Sequence, residues 1–211
     1  MRVVIVAGPP AAGKTAVLRH ALTRMKLPPD RVHLVKLDCL DGGDVRAFEA
    51  AGYRAQVLLS GDICPDHHLV TVLGDAYLDA MDAGVEWLFL ETAGLCERCS
   101  PFLARVPALL VLGLTAGLQA PQKLRSLVAH CDALAVTKTD LASQAEYEVF
   151  SQAARSVNPS CWMRTVNGLT GEGVAPLSAW LEALPDLELL DLESLRVVLP
   201  RGHCSLCTGG L

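Results

Sequence analysis

Seven short apolar runs punctuate the chain: "RVVIVAG" from Arg2, "RVHLVKLD" from Arg31, "AQVLLSG" from Ala55, "VEWLFLET" from Val85, "PALLVLGLT" from Pro107, "DALAVTKTD" from Asp132 and "CWMRTVN" from Cys161. Runs this short, apolar at successive positions and closed by Gly, Asp, Thr or Asn, read as strands buried on both faces. Between them apolar residues return at helical spacing. One helix is predicted from Lys14 to Met25. A second runs from Asp66 to Met81, with Leu69, Val72, Leu73, Ala76 and Ala80 on one face. "SQAEYEVFSQAARSV" is an amphipathic helix, and "VAPLSAWLEAL" is the last one. Alternating strands and helices predict an α/β fold: a mostly parallel central sheet with helices on both faces, a Rossmann-like three-layer sandwich. No internal repeat or long linker interrupts the pattern. The expectation is one domain over residues 1–184, followed by a tail at 185–211 that ends "LPRGHCSLCTGGL".

Composition narrows the function. A length of 211 residues, 51% of them apolar and 19% charged, suits a globular domain with a sizeable core. A net charge of −5 with no Lys/Arg block excludes a nucleic-acid footprint. No run reaches membrane-spanning length, and the apolar start leads into a glycine loop and not a cleavage site. A cytoplasmic protein is expected. In that compartment paired cysteines more often bind metal or carry redox chemistry than form disulfides.

"GPPAAGKT", residues 8–15, has both glycines, the lysine and the threonine of a phosphate-binding loop, between a strand and a helix as that loop requires. Backbone N–H groups near Gly13, Lys14 and Thr15 would meet phosphate oxygens, helped by the helix N-terminus. Gly8 and Ala16 bound this cradle. Lys14 would reach the β- and γ-phosphates, and Thr15 would ligate Mg²⁺. "VTKTD" resembles the Asn-Lys-x-Asp signature of GTPases, with Thr137 in place of Asn. Asp140 can accept from both guanine donors, which adenine lacks, and the Lys138 stem can lie along the base. The change to Thr137 is expected to weaken bracing of the loop.

These motifs, with "KLD" at the second strand end, "SGDICPDH", "ETAG" and "NGLTGEG" in this order, resemble the dimerising P-loop metallochaperone GTPases that mature hydrogenase and urease. The nitrogenase iron protein belongs to the same class. The resemblance covers most of residues 1–183. It implies that Asp38 and Glu91 join Thr15 around Mg²⁺, Glu91 replacing the Walker-B aspartate. It implies that Gly94 gives its N–H to the γ-phosphate, and that Asn167 and Gly168 form the base-side loop. Lys14, Asp38 and Glu91 would then serve slow, Mg²⁺-assisted GTP hydrolysis in a homodimer that loads or inserts metal into a client metalloenzyme or cofactor-assembly protein.

The eight cysteines divide by context. Cys39, Cys131 and Cys161 lie in or beside apolar strands and read as buried small hydrophobes. Cys96 and Cys99 follow "ETAG", so nucleotide state would move them. In the resembled class that edge is the dimer face, where two pairs make four thiolates for Zn²⁺, Ni²⁺ or an iron–sulfur cluster. Cys64 and His67 form a second candidate set, with Asp66 as a helix N-cap. Cys204 and Cys207 form a third. The two Cys-x-x-Cys pairs can close one site or two. Two other readings stay open: an iron–sulfur NTPase that passes electrons to a partner, and a small-molecule kinase, for which Arg98 and Arg105 are the only lid arginines.

Overall fold

Strand β1, Arg2–Ala7, shows how the layers arise. Val3, Ile5 and Ala7 enter one core and Val4 and Val6 the other, because successive side chains of a strand point to opposite faces. The computed structural model describes residues 1–39, 43, 45–61, 65–93, 102–192 and 196. Six more strands join β1: β2 (Val32–Asp38), β3 (Arg54–Leu59), β4 (Trp87–Glu91), β5 (Ala108–Gly113), β6 (Ala133–Thr137) and β7 (Trp162–Thr165). They form one sheet in the order β3-β2-β4-β1-β5-β6-β7, with every pairing parallel. The seven apolar runs are these seven strands, so the α/β expectation holds, and the sheet is wholly parallel.

Two helical layers cover it. Helices α1 (Lys14–Met25), α2 (Arg46–Ala50) and α7 (Val174–Glu182) put Val17, Leu18, Leu22, Phe48, Leu177 and Leu181 into the core on one face. Helices α3 (Pro65–Asp82), α4 (Ala120–Lys123), α5 (Arg125–His130) and α6 (Gln144–Val157) fill the other face with Leu69, Leu73, Leu127, Val128 and Phe150. A capping box starts α6: the Glu146 amide donates to the Ser143 hydroxyl, and the Ser143 amide donates to the Glu146 carboxylate.

The chain beyond α7 folds back. Leu187 N–H donates to the Met1 carbonyl at 2.9 Å, and Leu187 and Leu190 pack on the core. Arg196 is the anchor furthest along the described chain. Its guanidinium donates to the carbonyls of Leu103, His130 and Val106 and to both carboxylate oxygens of Asp132, at 2.7–3.0 Å. Those five contacts occupy the full donor fork of the side chain.

The three single cysteines diverge. Cys131 is buried, Cys161 is half-buried, and Cys39 is exposed. Cys39 was expected in the core, but it follows the last residue of β2 and has left the sheet. Asp66 is also not a cap. It lies inside the first turn of α3, fully buried, and accepts the Thr92 hydroxyl at 2.7 Å.

Candidate functional site

The loop between β1 and α1 lies at the carboxyl edge of the parallel strands, where ligands of such sheets bind. Two of its positions need glycine. A Cβ on Gly8 would stand 2.1 Å from the Val111 carbonyl oxygen of β5, and Gly13 caps α1 with φ 94°. Lys14 is only 8% exposed and curls back over the loop, donating to the carbonyls of Gly8 at 2.8 Å and Pro9 at 3.2 Å. Burial is the largest influence on Lys14 and pulls its pKa below the ordinary lysine value. Glu91 opposes that, Lys36 adds to it, and Asp38 and Asp66 oppose it. A polyanion in the loop would favour the charged ammonium.

Thr15 Oγ1 donates to the Glu91 carboxylate at 2.9 and 3.0 Å. Glu91 ends β4 beside β1 and is 6% exposed. Asp38, at the end of β2, lines the same cavity of about 370 Å³ with Lys14, Thr15, Lys36, Glu91 and Thr92. A hydroxyl and two carboxylates on one wall are hard oxygen donors, the set Mg²⁺ takes beside phosphate. Sequence reasoning missed Lys36. In the register of β2 and β4 it pairs with Glu91, and its ammonium is 3.4 Å from Asp38 Oδ2. The cavity therefore holds two cations and two carboxylates. The signal was available: a lysine two residues before the "KLD" aspartate, in an apolar strand, must share that aspartate's face.

A second cavity of about 350 Å³ adjoins the first and shares Gly13 and Ala16 with it. Thr137, Lys138, Asp140, Asn167 and Gly168 line it, with Leu141 and Leu169. Lys138 adopts a left-handed backbone, φ 58°, which turns the chain at the end of β6. Thr137 does brace the loop: its hydroxyl donates to the Ala12 carbonyl at 2.6 Å. The Asn167 side-chain oxygen accepts the Leu169 and Thr170 amides, shaping its own turn. His20 of α1 meets the Gly168 carbonyl at 3.1 Å and ties that turn to the helix. Leu141 and Leu169, 68% and 87% exposed, are the apolar lining that motif reading overlooked.

Gly94, Cys64, Cys96, Cys99, Cys204 and Cys207, with Arg98, lie outside the described residues, and His67 belongs to α3. Among the described residues no three His, Cys, Asp or Glu side chains are placed to hold a metal ion. Arg105, a lid arginine on the kinase reading, sits in the turn before β5, at the opposite edge of the sheet from both cavities. Among the described residues no helix is long and apolar enough to cross a membrane.

A family model for the CobW/HypB/UreG nucleotide-binding domain matches residues 2–164. The chain is 37% identical over 209 residues to an uncharacterized protein of Methanocaldococcus jannaschii, covering 99% of this chain and 89% of that one. It is 29% identical over 180 residues to the hydrogenase maturation factor HypB of Rhizobium leguminosarum bv. viciae, covering 82% of this chain and 58% of that protein. The fold is shared with HypB from Helicobacter pylori, solved in complex with nickel. That match has a TM-score of 0.66 at 16% identity and covers 86% of each chain.

Proposed function

The chain belongs to the CobW/HypB/UreG family of nucleotide-binding domains, P-loop metallochaperone GTPases, and from that premise we propose that it binds and hydrolyses GTP to drive metal loading of a client enzyme. One observation carries the nucleotide half of this reading: the phosphate cavity and the base cavity meet at Gly13 and Ala16. A purine nucleoside triphosphate laid across that junction has its phosphates at Lys14 and its base between Lys138 and Asn167.

Each residue has a defined task. The amides of Gly13, Lys14 and Thr15 point along the α1 dipole toward the phosphates. Lys14 exchanges its loop carbonyls for β- and γ-phosphate oxygens. Asp140 accepts from guanine N1–H and N2–H, while Leu141 and Leu169 keep water off the base. Thr15, Asp38 and Glu91 would hold Mg²⁺, which would supply positive charge to the phosphate groups. Glu91 would also orient a water for in-line attack on the γ-phosphorus. Gly94, the next residue in sequence after Ala93 of that wall, would report the γ-phosphate to the cysteines that follow it. Hydrolysis is slow in this reading, because the residues assigned to the site include neither a catalytic arginine nor a water-positioning glutamine, which dimerisation or a partner would supply.

The metal half rests on the cysteine pairs and on the nickel-bound relative. In our reading Cys96 and Cys99 bind Ni²⁺ or a related thiophilic ion, with Cys64 and His67 as further ligands, in a cytoplasmic homodimer. Cys204 and Cys207 can join them. The Arg196 amide donates to the Phe102 carbonyl, which roots the tail three residues after Cys99. Eight chain steps then lead from Arg196 to Cys204, a reach of up to ~28 Å.

Titration calorimetry with GTP and ATP, each with Mg²⁺, tests the nucleotide assignment. GTP is expected to bind about 100-fold more tightly, the scale of two hydrogen bonds to an exposed carboxylate; equal affinities would remove guanine from the proposal. Metal analysis of the full chain and of Cys96→Ser/Cys99→Ser tests the rest. Unchanged nickel stoichiometry in the double variant refutes that site.

A further inference from the structure

At the sheet edge opposite the cavities, two thiols face each other. Cys131 closes α5, and Cys161 immediately precedes β7. Their sulfurs are 3.4 Å apart. The two chain segments are fixed to one another. Trp162 N–H donates to the Asp132 carbonyl at 3.1 Å, and β6 pairs with β7 from Ala133 and Trp162 onward. Asn158, buried beneath both, donates its side-chain amide to the carbonyls of Val128 at 2.8 Å and Cys131 at 3.0 Å. This clamp holds the loop carrying Cys161 against the turn carrying Cys131.

We propose that Cys131 and Cys161 form a reversible dithiol–disulfide site, oxidised by small-molecule disulfides of the glutathione class. The backbone already places the pair. Neighbouring parallel strands run ~4.8 Å apart, and extending the β6–β7 register back from Ala133 and Trp162 sets Cys131 and Cys161 one step off alignment, a spacing on the order of the ~4.4–6.8 Å that a disulfide requires between Cα atoms. The sulfurs need to approach from 3.4 Å to about 2.05 Å, a movement of roughly 1.4 Å that side-chain rotation can supply. A thiolate metal site fits less well: among the described residues no third ligand joins the two sulfurs.

The two thiols have unequal roles. Cys161 is half-buried and reachable, whereas Cys131 is 4% exposed. The hydrogen bond with Cys131 holds the Cys161 pKa down against burial, and the same bond together with burial pushes Cys131 up. Cys161 is therefore the attacking thiolate. It displaces one glutathione thiolate and forms a mixed disulfide. Cys131 then loses its proton to that released thiolate and attacks the Cys161 sulfur, expelling the second glutathione thiolate, which takes up the remaining proton. Two protein thiols are oxidised by two electrons, and one external disulfide becomes two thiols. The bridge closes a loop at the starts of β6 and β7, whose far ends carry the base cavity.

The test equilibrates the full chain with oxidised glutathione, alkylates remaining thiols and digests with trypsin before and after reduction. The expected product is a linked pair of peptides, residues 126–138 and 156–164, each containing one cysteine, with a combined mass lower by about 2 Da and loss of both alkylation sites. Cys131→Ser should leave Cys161 carrying one glutathione, and Cys161→Ser should leave buried Cys131 unmodified. Recovery of both cysteines as alkylated thiols, or of both as separate glutathione adducts in the wild-type chain, overturns the proposal.

Discussion

Asp140→Asn is the sharpest test of the base cavity. Asp140 follows the left-handed turn at Lys138 and lines the cavity of about 350 Å³ together with Asn167 and Gly168. Its carboxylate offers only acceptors, and guanine presents two donors, N1–H and N2–H. A hydrogen bond to a charged group contributes ~1.5–3 kcal/mol. Asp140 is exposed, so the lower end applies to each bond. Two such bonds give ~3 kcal/mol, or about 150-fold in affinity. Asparagine keeps one acceptor and turns its other end into a donor facing guanine N2–H₂. GTP binding by Asp140→Asn should therefore fall by roughly 100-fold. Xanthosine triphosphate, whose C2 carries an oxygen, should bind the variant more tightly than it binds the wild type. Competition titrations with GTP, xanthosine triphosphate and ATP at fixed Mg²⁺ read both changes. A variant that keeps GTP within about threefold, less than half the energy of one such bond, would refute the role given to Asp140. So would a variant that weakens all three nucleotides alike, since that is damage to the loop.

Other expectations follow from the same geometry. Lys36→Met removes the second cation of the phosphate cavity and leaves Asp38 without its 3.4 Å partner. GTP should weaken by about tenfold or more, the scale of one charge-assisted contact, while GDP, lacking the γ-phosphate, weakens less; equal losses by calorimetry would contradict a γ-phosphate contact. Arg196→Ala removes five hydrogen bonds, although Asp132 keeps the Ala108 amide and the Leu103 carbonyl keeps the Val106 amide, and should cost ~2–4 kcal/mol in urea unfolding; Arg196→Lys should recover only part, because an ammonium lacks the planar five-donor fork. His33 is fully buried in β2 with neither ring nitrogen hydrogen-bonded. Burial, then Arg54, hold its pKa below the ordinary 6.5, against a smaller opposing effect of Asp79. The unfolded chain therefore binds the proton first, so stability present at neutral pH should be lost as pH falls below 6.5 toward the depressed folded value. His33→Leu should flatten the urea midpoint between pH 7.5 and 5.5; an unchanged slope would assign the loss to other groups.

What was legible in the chain depends on how far apart the cooperating atoms lie. All seven strands could be read because each is buried on both faces, which writes an uninterrupted apolar run into a few consecutive residues. The phosphate loop could be read because its cradle is backbone, so its sequence needs only glycine, lysine and threonine at fixed offsets. Short α2 and the divided α4 and α5 were not read, since pieces of four to six residues carry too little helical periodicity. The Arg196 cradle was invisible for another reason. Its acceptors lie 64 to 93 residues away and three of them are carbonyls, which any residue type supplies.

Thr137 shows the same limit inside a motif that was recognised. Read locally, replacing Asn with Thr removes an amide and should loosen the phosphate loop. In the fold, β6 brings its last residue against the turn of that loop, and the neighbouring Gly113 and Gly13 lack side chains. A short side chain then suffices: the Thr137 hydroxyl reaches the Ala12 carbonyl, 125 residues away in sequence, at 2.6 Å, and is 1% exposed. Asparagine would carry its amide one bond further into that space. The bracing function is kept while the donor changes, which is why a signature residue at this position is read better by its distance to the loop than by its identity. Thr137→Val, which keeps the shape and removes the donor, isolates that bond. Leaving the buried Ala12 carbonyl unpaired should cost ~1–3 kcal/mol, seen in unfolding and as weaker binding of GTP and GDP alike. An unchanged affinity for both would show that the loop holds its shape without β6.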